Sequence, residues 1–172
     1  QPPRFTHPVT AKRSAATLQR VRLFTGCTGD LFDRTTLNAT QRLLERLGYA
    51  IDIPTEQTCC GALHQHNGEP GKASRLAQKN IAAFPGPEPV ITIASGCQAR
   101  LKSYAAHNPE GTDFSDRVTD ILGFLLARGN TGLEFRPVNT TLALHIPCTQ
   151  RNVLQQAEVT AQVLAWIPGL KV

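Results

Sequence analysis

A chain of 172 residues with 41% hydrophobic and 18% charged side chains can bury one complete core and has the composition of an ordinary globular protein. Its formal net charge of +5 comes almost entirely from residues 1–20, which hold four basic side chains and no acid. Because the remaining residues carry a net charge of only +1, no nucleic-acid-binding surface is expected.

The N-terminal residues 1–20 combine this charge with Pro2, Pro3 and Pro8, which is typical of a linker. No apolar run approaches the roughly 18 residues of a membrane span, so at most a peripheral membrane association is expected. No signal peptide is visible, and five cysteines, two of them adjacent, do not suit a disulfide framework. We therefore expect reduced thiols in the cytoplasm, free or at the inner face of the membrane. Since the chain begins at Gln1 rather than Met, we also expect it to be part of a longer protein.

Short apolar runs rich in β-branched residues alternate along the chain with segments of helical spacing. The runs predict strands at residues 21–25, 50–53, 90–94 and 141–145. We expect Gly48 and Gly129 to end the first and third helices, and Pro70 to begin the second. The apolar faces of the four helices are formed by Leu37, Leu44 and Leu47; by Ala73, Leu76, Ala77, Ile81 and Phe84; by Val118, Ile121, Leu122, Leu125 and Leu126; and by Val153, Ala157, Ala161 and Leu164. This alternation predicts an α/β fold, a parallel sheet flanked by helices.

An internal repeat relates the start of the chain to its end. A shift of 121 residues without gaps pairs Leu23 with Leu144, Cys27 with Cys148, Gln41 with Gln162, Leu43 with Leu164 and Gly48 with Gly169. Both segments run from an apolar strand through a cysteine to a helix and a glycine. Any two strand–helix units share part of this pattern, but we interpret the match as a duplication.

Every cysteine comes shortly after a predicted strand: Cys27 after the first, Cys59 and Cys60 after the second, Cys97 after the third and Cys148 after the fourth. In a parallel sheet the carboxyl ends of the strands lie along one edge, so these thiols should converge there. The helix that begins at each cysteine favours the thiolate, which is the form that binds metal. A single cysteine is usually a small buried hydrophobe, but five at strand ends indicate a site.

Three chemical uses of the thiols are considered. A tetrahedral zinc could take Cys27, Cys59, Cys60 and Cys97, although adjacent cysteines bind one ion awkwardly, whereas in an iron–sulfur cluster they can reach different irons. A phosphate-binding nucleophile loop would pair Cys27 with Arg34, but acidic residues lie between them. A redox-active disulfide between Cys59 and Cys60 would be strained. His64 and His66 could support the site but are more typical of an exposed loop.

At this point the residues resemble a known family. Cys27, a gap of 31 residues, Cys59-Cys60-Gly61, a gap of 35 residues and Cys97 resemble the cysteine-rich CCG domain of the type found in heterodisulfide reductase. That domain also occurs in lactate-utilisation proteins and in glycolate oxidase iron–sulfur subunits. The strings FTGC, CCGALHQHNG, ASGC and HIPC are most similar to the glycolate oxidase branch.

The resemblance implies a domain organisation and a function. Tandem domains are usual in the family, so residues 1–20 would be a linker, 21–135 a first CCG domain and 136–172 the start of a second, incomplete one. The chain would be an iron–sulfur electron-transfer module that passes electrons from a flavin subunit oxidising a 2-hydroxy acid toward quinone. It would not perform the hydroxy acid chemistry itself. The alternative is a non-redox scaffold, stabilised by zinc or bare thiols, that docks the flavin subunit.

One departure from the family concerns the last motif. The family often has a CxxC pair there, whereas this chain places Arg100 at the second position. With Cys27, Cys59, Cys60 and Cys97 the site could hold a 4Fe–4S cubane, a modified cluster or zinc. Arg100, one helical turn beyond Cys97, would either offset thiolate charge or be solvated.

Cys148 is the counterpart of Cys27 in the repeat. We expect it to be an orphan thiol that would open a second site, followed by a helix whose apolar face lacks neighbours. The competing hypothesis makes it a fifth metal ligand of the first site.

Overall fold

The computed structural model describes residues 19–106, 111–130 and 132–172, so the predicted linker lies almost wholly outside the described residues. A four-stranded sheet forms its centre, with every strand parallel and the order β2-β1-β3-β4. The strands are β1 (Arg20–Phe24), β2 (Ala50–Asp52), β3 (Val90–Thr92) and β4 (Val118–Asp120). The predicted α/β class and the first three predicted strands are confirmed, each within two residues of the expected ends.

Helices connect and flank these strands. They are α1 (Gly26–Phe32), α2 (Arg34–Arg46), α3 (Ala62–His66), α4 (Pro70–Ala83), α5 (Ser95–Lys102), α6 (Thr112–Asp116), α7 (Ile121–Arg128) and α8 (Val159–Leu164). A 3-10 turn at Ser103–Ala106 follows α5, and a π-helical turn occupies Thr149–Val153. Helix α2 ends before Gly48 and α4 begins at Pro70, as their sequences predict.

The core lies on both faces of the sheet, because alternate side chains of the strands point to opposite sides. One face is covered by α2 and buries Val21, Leu23, Leu37, Leu44 and Ile91. The other face is aromatic and buries Phe24, Phe84, Val90, Leu101, Tyr104, Phe114 and Val118, together with Cys60 and Ala77. Cys60, one of the predicted site residues, is therefore part of the core on the aromatic face.

The fourth strand of the sheet corrects the sequence-based assignment. The stripe of apolar residues from Val118 predicts a single helix, but Val118–Asp120 pairs in parallel with β3 and only Ile121–Arg128 is helical. Asp120 marks the boundary, since its carboxylate accepts a hydrogen bond from the Gly123 amide at 2.6 Å and caps α7. Val118 is 1% exposed, so its apolar character reflects burial in the sheet.

The C-terminal segment also departs from expectation. The strand predicted at 141–145 is reduced to β5 (Thr140–Thr141), which pairs in parallel with β6 (Leu170–Lys171) in a separate two-stranded sheet. The helix predicted to carry residues 153–164 is interrupted at Gln155, whose φ of 55° is left-handed. A strand extends only as far as a partner offers hydrogen bonds, and β6 supplies two residues. The duplication and the division at 135/136 stay predictions.

Candidate functional site

Four thiols gather at the carboxyl edge of the sheet. The Cys27 Sγ lies 3.4 Å from the Cys59 Sγ, and the Cys60 and Cys97 side chains are hydrogen-bonded to each other. The Cys59–Cys60 peptide links the Cys27–Cys59 pair to the Cys60–Cys97 pair. The Cys97 Sγ also lies close to the backbone that carries Cys27, because a Cβ placed on Gly26 would be 3.6 Å from it. The structure thus brings these four cysteines together as free thiols, and their role as ligands of one centre stays a prediction.

The fold brings them together because each follows a strand of the sheet. Cys27 is the second residue of α1, directly after β1, and Cys97 is the third residue of α5, after β3. Cys59 and Cys60 end the loop between β2 and α3. At the start of α3 the backbone amides face the adjacent cysteines: the Gly61 amide donates to the Cys59 Sγ at 3.4 Å, and the Ala62 amide donates to Cys60. The local backbone therefore favours negative sulfur.

Burial divides the four thiols into an outer pair, Cys27 and Cys59, and an inner pair, Cys60 and Cys97. Cys27 is exposed, Cys59 and Cys97 are half-buried, and Cys60 is only 4% exposed. A cleft of about 680 Å³ opens beside the outer pair and is lined on the α2 side by Arg34, Leu37, Asn38 and Gln41. The outer pair therefore faces a solvent-filled cleft, while the inner pair belongs to the core.

The acidity of the thiols differs even within the inner pair. The hydrogen bond from Cys97, the Ala62 amide and the positive charge of Arg100 outweigh burial and lower the pKa of Cys60 to about 6. Donating that hydrogen bond, together with burial, raises the pKa of Cys97, and burial raises the pKa of Cys59 to about 11. Without a metal, Cys60 is thus the thiolate of the inner pair, and metal binding must release the protons of Cys59 and Cys97.

A buried polar pair holds the backbone of the adjacent cysteines. Asn80 is fully buried on α4; its Oδ1 accepts from the Thr58 amide at 2.7 Å, and its Nδ2 donates to the Cys59 carbonyl at 3.1 Å. The Tyr104 hydroxyl donates to the Cys60 carbonyl at 2.8 Å and accepts from Asn80 at 3.0 Å. Burial raises the pKa of Tyr104, so the hydroxyl keeps its proton. These bonds fix where both sulfurs point.

Gln57 ties the cysteine loop to the strand that leads to Cys27. Its Oε1 accepts from the Thr25 amide at 2.8 Å, and its Nε2 donates to the carbonyls of Leu23 and Pro54 at 3.3 and 3.0 Å. Gln57, Asn80 and Tyr104 were not among the site residues predicted from the sequence. For Asn80 a signal existed, because it continues the buried α4 face of Ala73 and Ala77, where a polar side chain needs partners.

The conformation and packing of the residue after the cysteine pair explain why this position is a glycine. Gly61 has a φ of 82°, a left-handed conformation, and a Cβ there would lie 3.3 Å from both the Cα and the carbonyl oxygen of Ala73. The loop therefore turns sharply and also packs directly against the α4 backbone. Any side chain at this position would push the cysteines away from α4.

Arg100 lies beside the inner pair. It is 8% exposed, with its guanidinium 5.4 Å from the centre of the Tyr104 ring, and its charge acts on Cys60. Of the two alternatives from the sequence, a position next to the thiols is confirmed and a solvated arginine is wrong.

The other candidates lie apart from the four thiols. Cys148 is exposed at the start of the π-helical turn and, within the described residues, shares no hydrogen bond with another thiol. This agrees with an orphan thiol, but its absence from a metal site stays a prediction. The helix that follows is partly packed, since Val163 is 6% exposed while Val153 is 65% exposed. His64 contacts Glu69 at 2.6 Å rather than a cysteine.

The donor set decides which groups the site could hold. Within residues 19–106, 111–130 and 132–172, no three histidine, cysteine or acidic side chains are arranged to hold a single metal ion. The thiols form two adjacent pairs instead, and a multi-iron cluster takes its thiolates at separate irons. Four thiolates with nearby amides and one cation fit an iron–sulfur cluster.

The described helices include none long and apolar enough to cross a membrane.

Comparison with known proteins agrees with this site. Residues 21–102 match the family of cysteine-rich domains named CCG. The domain begins in β1 and ends in α5, so it contains all four converging cysteines.

Similar proteins include a probable glycolate oxidase iron–sulfur subunit of Bacillus subtilis, 37% identical over 88% of this chain. Lactate utilization protein A of Macrococcus caseolyticus is 29% identical over 89% of the chain, and the glycolate oxidase iron–sulfur subunit of Escherichia coli is 31% identical over 76%. The chain spans 36%, 65% and 35% of these three proteins, respectively. No solved structure is significantly similar to it.

Replacing Gly61 with alanine should destabilise the protein through both strain and contact with α4. Gly48→Ala is the matched control, because its φ of 83° is the same but nothing lies within 4 Å of the added Cβ. We expect about 1 kcal/mol for Gly48→Ala and about 2–4 kcal/mol for Gly61→Ala, measured by urea unfolding of the metal-free protein. Equal losses would show that the approach to Ala73 has no energetic consequence.

The Tyr104 hydroxyl can be removed without disturbing its ring. Tyr104→Phe leaves the Cys60 carbonyl without its 2.8 Å partner and should lower the free energy of unfolding by about 1–3 kcal/mol. Tyr49→Phe is the control, since Tyr49 packs edge-on against Phe124 and its hydroxyl makes no hydrogen bond among the described residues. If both variants unfold at the same urea concentration, the hydrogen bond from Tyr104 to the Cys60 carbonyl does not stabilise the protein.

Proposed function

We propose that this chain is an iron–sulfur electron-transfer module of a 2-hydroxy acid dehydrogenase complex of the glycolate or lactate type. Convergence of Cys27, Cys59, Cys60 and Cys97 within a CCG domain carries the proposal. The names of the relatives, a glycolate oxidase iron–sulfur subunit and a lactate utilization protein, supply the class of complex. These four cysteines would ligate one cluster of the 4Fe–4S type.

The cluster would supply one-electron transfer, and the protein's own groups prepare the place for it. The inner pair anchors the cluster in the core, where Asn80 and Tyr104 hold the peptide between the ligands. The outer pair lies at the surface, where Cys27 is exposed. A centre bridging both halves is fixed on one side and within reach of a partner on the other.

The complex around this module follows from the same proposal. Electrons would arrive from a flavin-containing oxidase subunit and pass onward, indirectly, to quinone, in the cytoplasm or at the inner face of the membrane. Residues 21–135 would form one CCG domain and residues 136–172 the start of a second, with Cys148 as its first thiol.

A second candidate function rests on the type of ligand alone, because among the described residues no three such side chains are arranged to hold a single ion. Four thiolates are also a common ligand set for structural zinc, which would make the chain a non-redox scaffold that docks the flavin subunit. Metal identity separates the two functions.

Anaerobic reconstitution with iron and sulfide tests the cluster. We expect about four irons and four sulfides per chain and an electron paramagnetic resonance signal after one-electron reduction. Cys97→Ser should lose most of both, because it removes a ligand from the inner pair. Cys148→Ser is the matched control and should keep both.

Two results would contradict this assignment. Zinc retained at one ion per chain, with no sulfide, would support the scaffold instead. Loss of the cluster in Cys148→Ser would make Cys148 a ligand of the first site and end its interpretation as an orphan thiol.

The docking surface for the flavin subunit is proposed on α1. Leu31 and Phe32, near the end of the helix that carries Cys27, are 75% and 86% exposed. Two large apolar side chains exposed next to each other form the kind of patch that marks an interaction site, and Leu31 lies one helical turn after Cys27, the most accessible of the four thiols. A flavin-containing partner docked there would lie close to the cluster.

Binding to the flavin subunit should weaken by about tenfold or more in Phe32→Ser, if Phe32 is an interface anchor. Val153→Ser is the control, since Val153 is also exposed, at 65%, but lies in the C-terminal segment. Both variants should reconstitute the same amount of cluster. Calorimetric titration with the flavin subunit measures the effect, and equal affinities of Phe32→Ser and the unmodified chain would remove α1 from the interface.

A further inference from the structure

Arg100 is a buried cation with no ion-pair partner among the described residues. Its side chain lies on α5, one turn after Cys97, and the residue is 8% exposed. An arginine side chain stays charged at any ordinary pH, and burying a charge without a counter-ion is costly. A buried arginine therefore normally faces a carboxylate.

In the part of the chain that the structure describes, no acidic side chain forms an ion pair with Arg100. One Nη donates to the Ser103 hydroxyl at 3.1 Å, the guanidinium lies 5.4 Å from the Tyr104 ring centre, and the Nε is buried with no hydrogen-bond partner. Neutral groups hold the side chain in place but do not balance its charge.

Among the described residues, the groups near Arg100 that can become negative are the thiols and the Tyr104 hydroxyl, and burial raises the pKa of Tyr104 so that it keeps its proton. The charge of Arg100 acts on the thiol of Cys60, and Cys60 is hydrogen-bonded to Cys97, one helical turn before Arg100. When a cluster is bound, all of its ligands are thiolates and the centre carries net negative charge. The unbalanced cation and the negative centre then lie side by side.

We infer that Arg100 is the built-in counter-charge of the cluster and raises its reduction potential, an inference that rests on the proposed function. Reduction adds one more negative charge to the centre. A fixed positive charge close to it in a poorly solvated interior stabilises the reduced state more than the oxidised state. Arg100 therefore makes the centre a better electron acceptor.

The test compares variants of the full chain after anaerobic reconstitution. Arg100→Gln removes the charge, Arg100→Lys keeps it, and Lys102→Gln removes an exposed charge two residues further along the same helix. The midpoint potential is measured by redox titration followed by electron paramagnetic resonance, with iron and sulfide counted for each variant. A merely structural role would not distinguish the lysine variant from the glutamine variant.

We expect Arg100→Gln to reduce the ratio of reduced to oxidised centre by about tenfold at fixed potential, a fall of about 59 mV for one electron. Arg100→Lys should recover most of this shift, and Lys102→Gln should show little change because solvent screens it. If Arg100→Gln cannot hold a cluster but Arg100→Lys can, the need for a positive charge is equally supported.

Three results would overturn the inference: an unchanged potential in Arg100→Gln, an equal fall in Lys102→Gln, or loss of the cluster in both Arg100 variants with unfolding unaltered. In each case the charge of Arg100 would not be what matters. Failure of the proposed function itself would look different, because the unmodified chain would then bind no iron and sulfide.

Discussion

The cysteine site depends on one buried arrangement, the contact of Asn80 and Tyr104 with the backbone of Cys59 and Cys60. Both polar side chains lie in the interior, where an amide or hydroxyl without a partner would be costly. They satisfy each other and the cysteine carbonyls at once. Because Tyr104 also stacks on Phe114, the loop that carries two thiols is part of the aromatic core. The cysteine loop is therefore held in place by the same packing that holds the core together.

This arrangement gives the site two unlike halves. Toward the core, Cys60 is buried and has its thiolate favoured by hydrogen bonds and by the nearby charge of Arg100. Toward solvent, Cys27 is exposed at the start of a helix that ends in Phe32, and a cleft lies beside it. An electron-transfer centre needs both properties, since it must keep its ligands through each change of charge and yet come close to a partner. In this fold the buried side of the site comes from Cys60 and the accessible side from Cys27 and Cys59, and the peptide between Cys59 and Cys60 joins the two sides.

Elements were predictable where local pattern and tertiary environment agree. Helix α2 has a regular apolar face and a glycine stop, and α4 has proline at its first turn, so both were found from sequence. Strand β4 was missed because a buried Val118 fits the helical stripe that follows it as well as it fits a sheet. The strand expected at 141–145 failed for the opposite reason. Its residues favour extended structure, but of residues 141–145 only Thr141 pairs with β6.

The sequence by itself determined which thiols meet: Cys27, Cys59, Cys60 and Cys97 follow strands, and parallel strands end at one edge. It did not determine which thiols pair, which one is buried, or what holds them. Those facts were decided by contacts between residues distant in the chain, such as Asn80 with Cys59 and Tyr104 with Cys60, which are 21 and 44 positions apart. A hydrogen bond across such a separation leaves no periodic trace in the sequence. It exists only once β1, β3, α4 and α5 have packed and closed the interior around it.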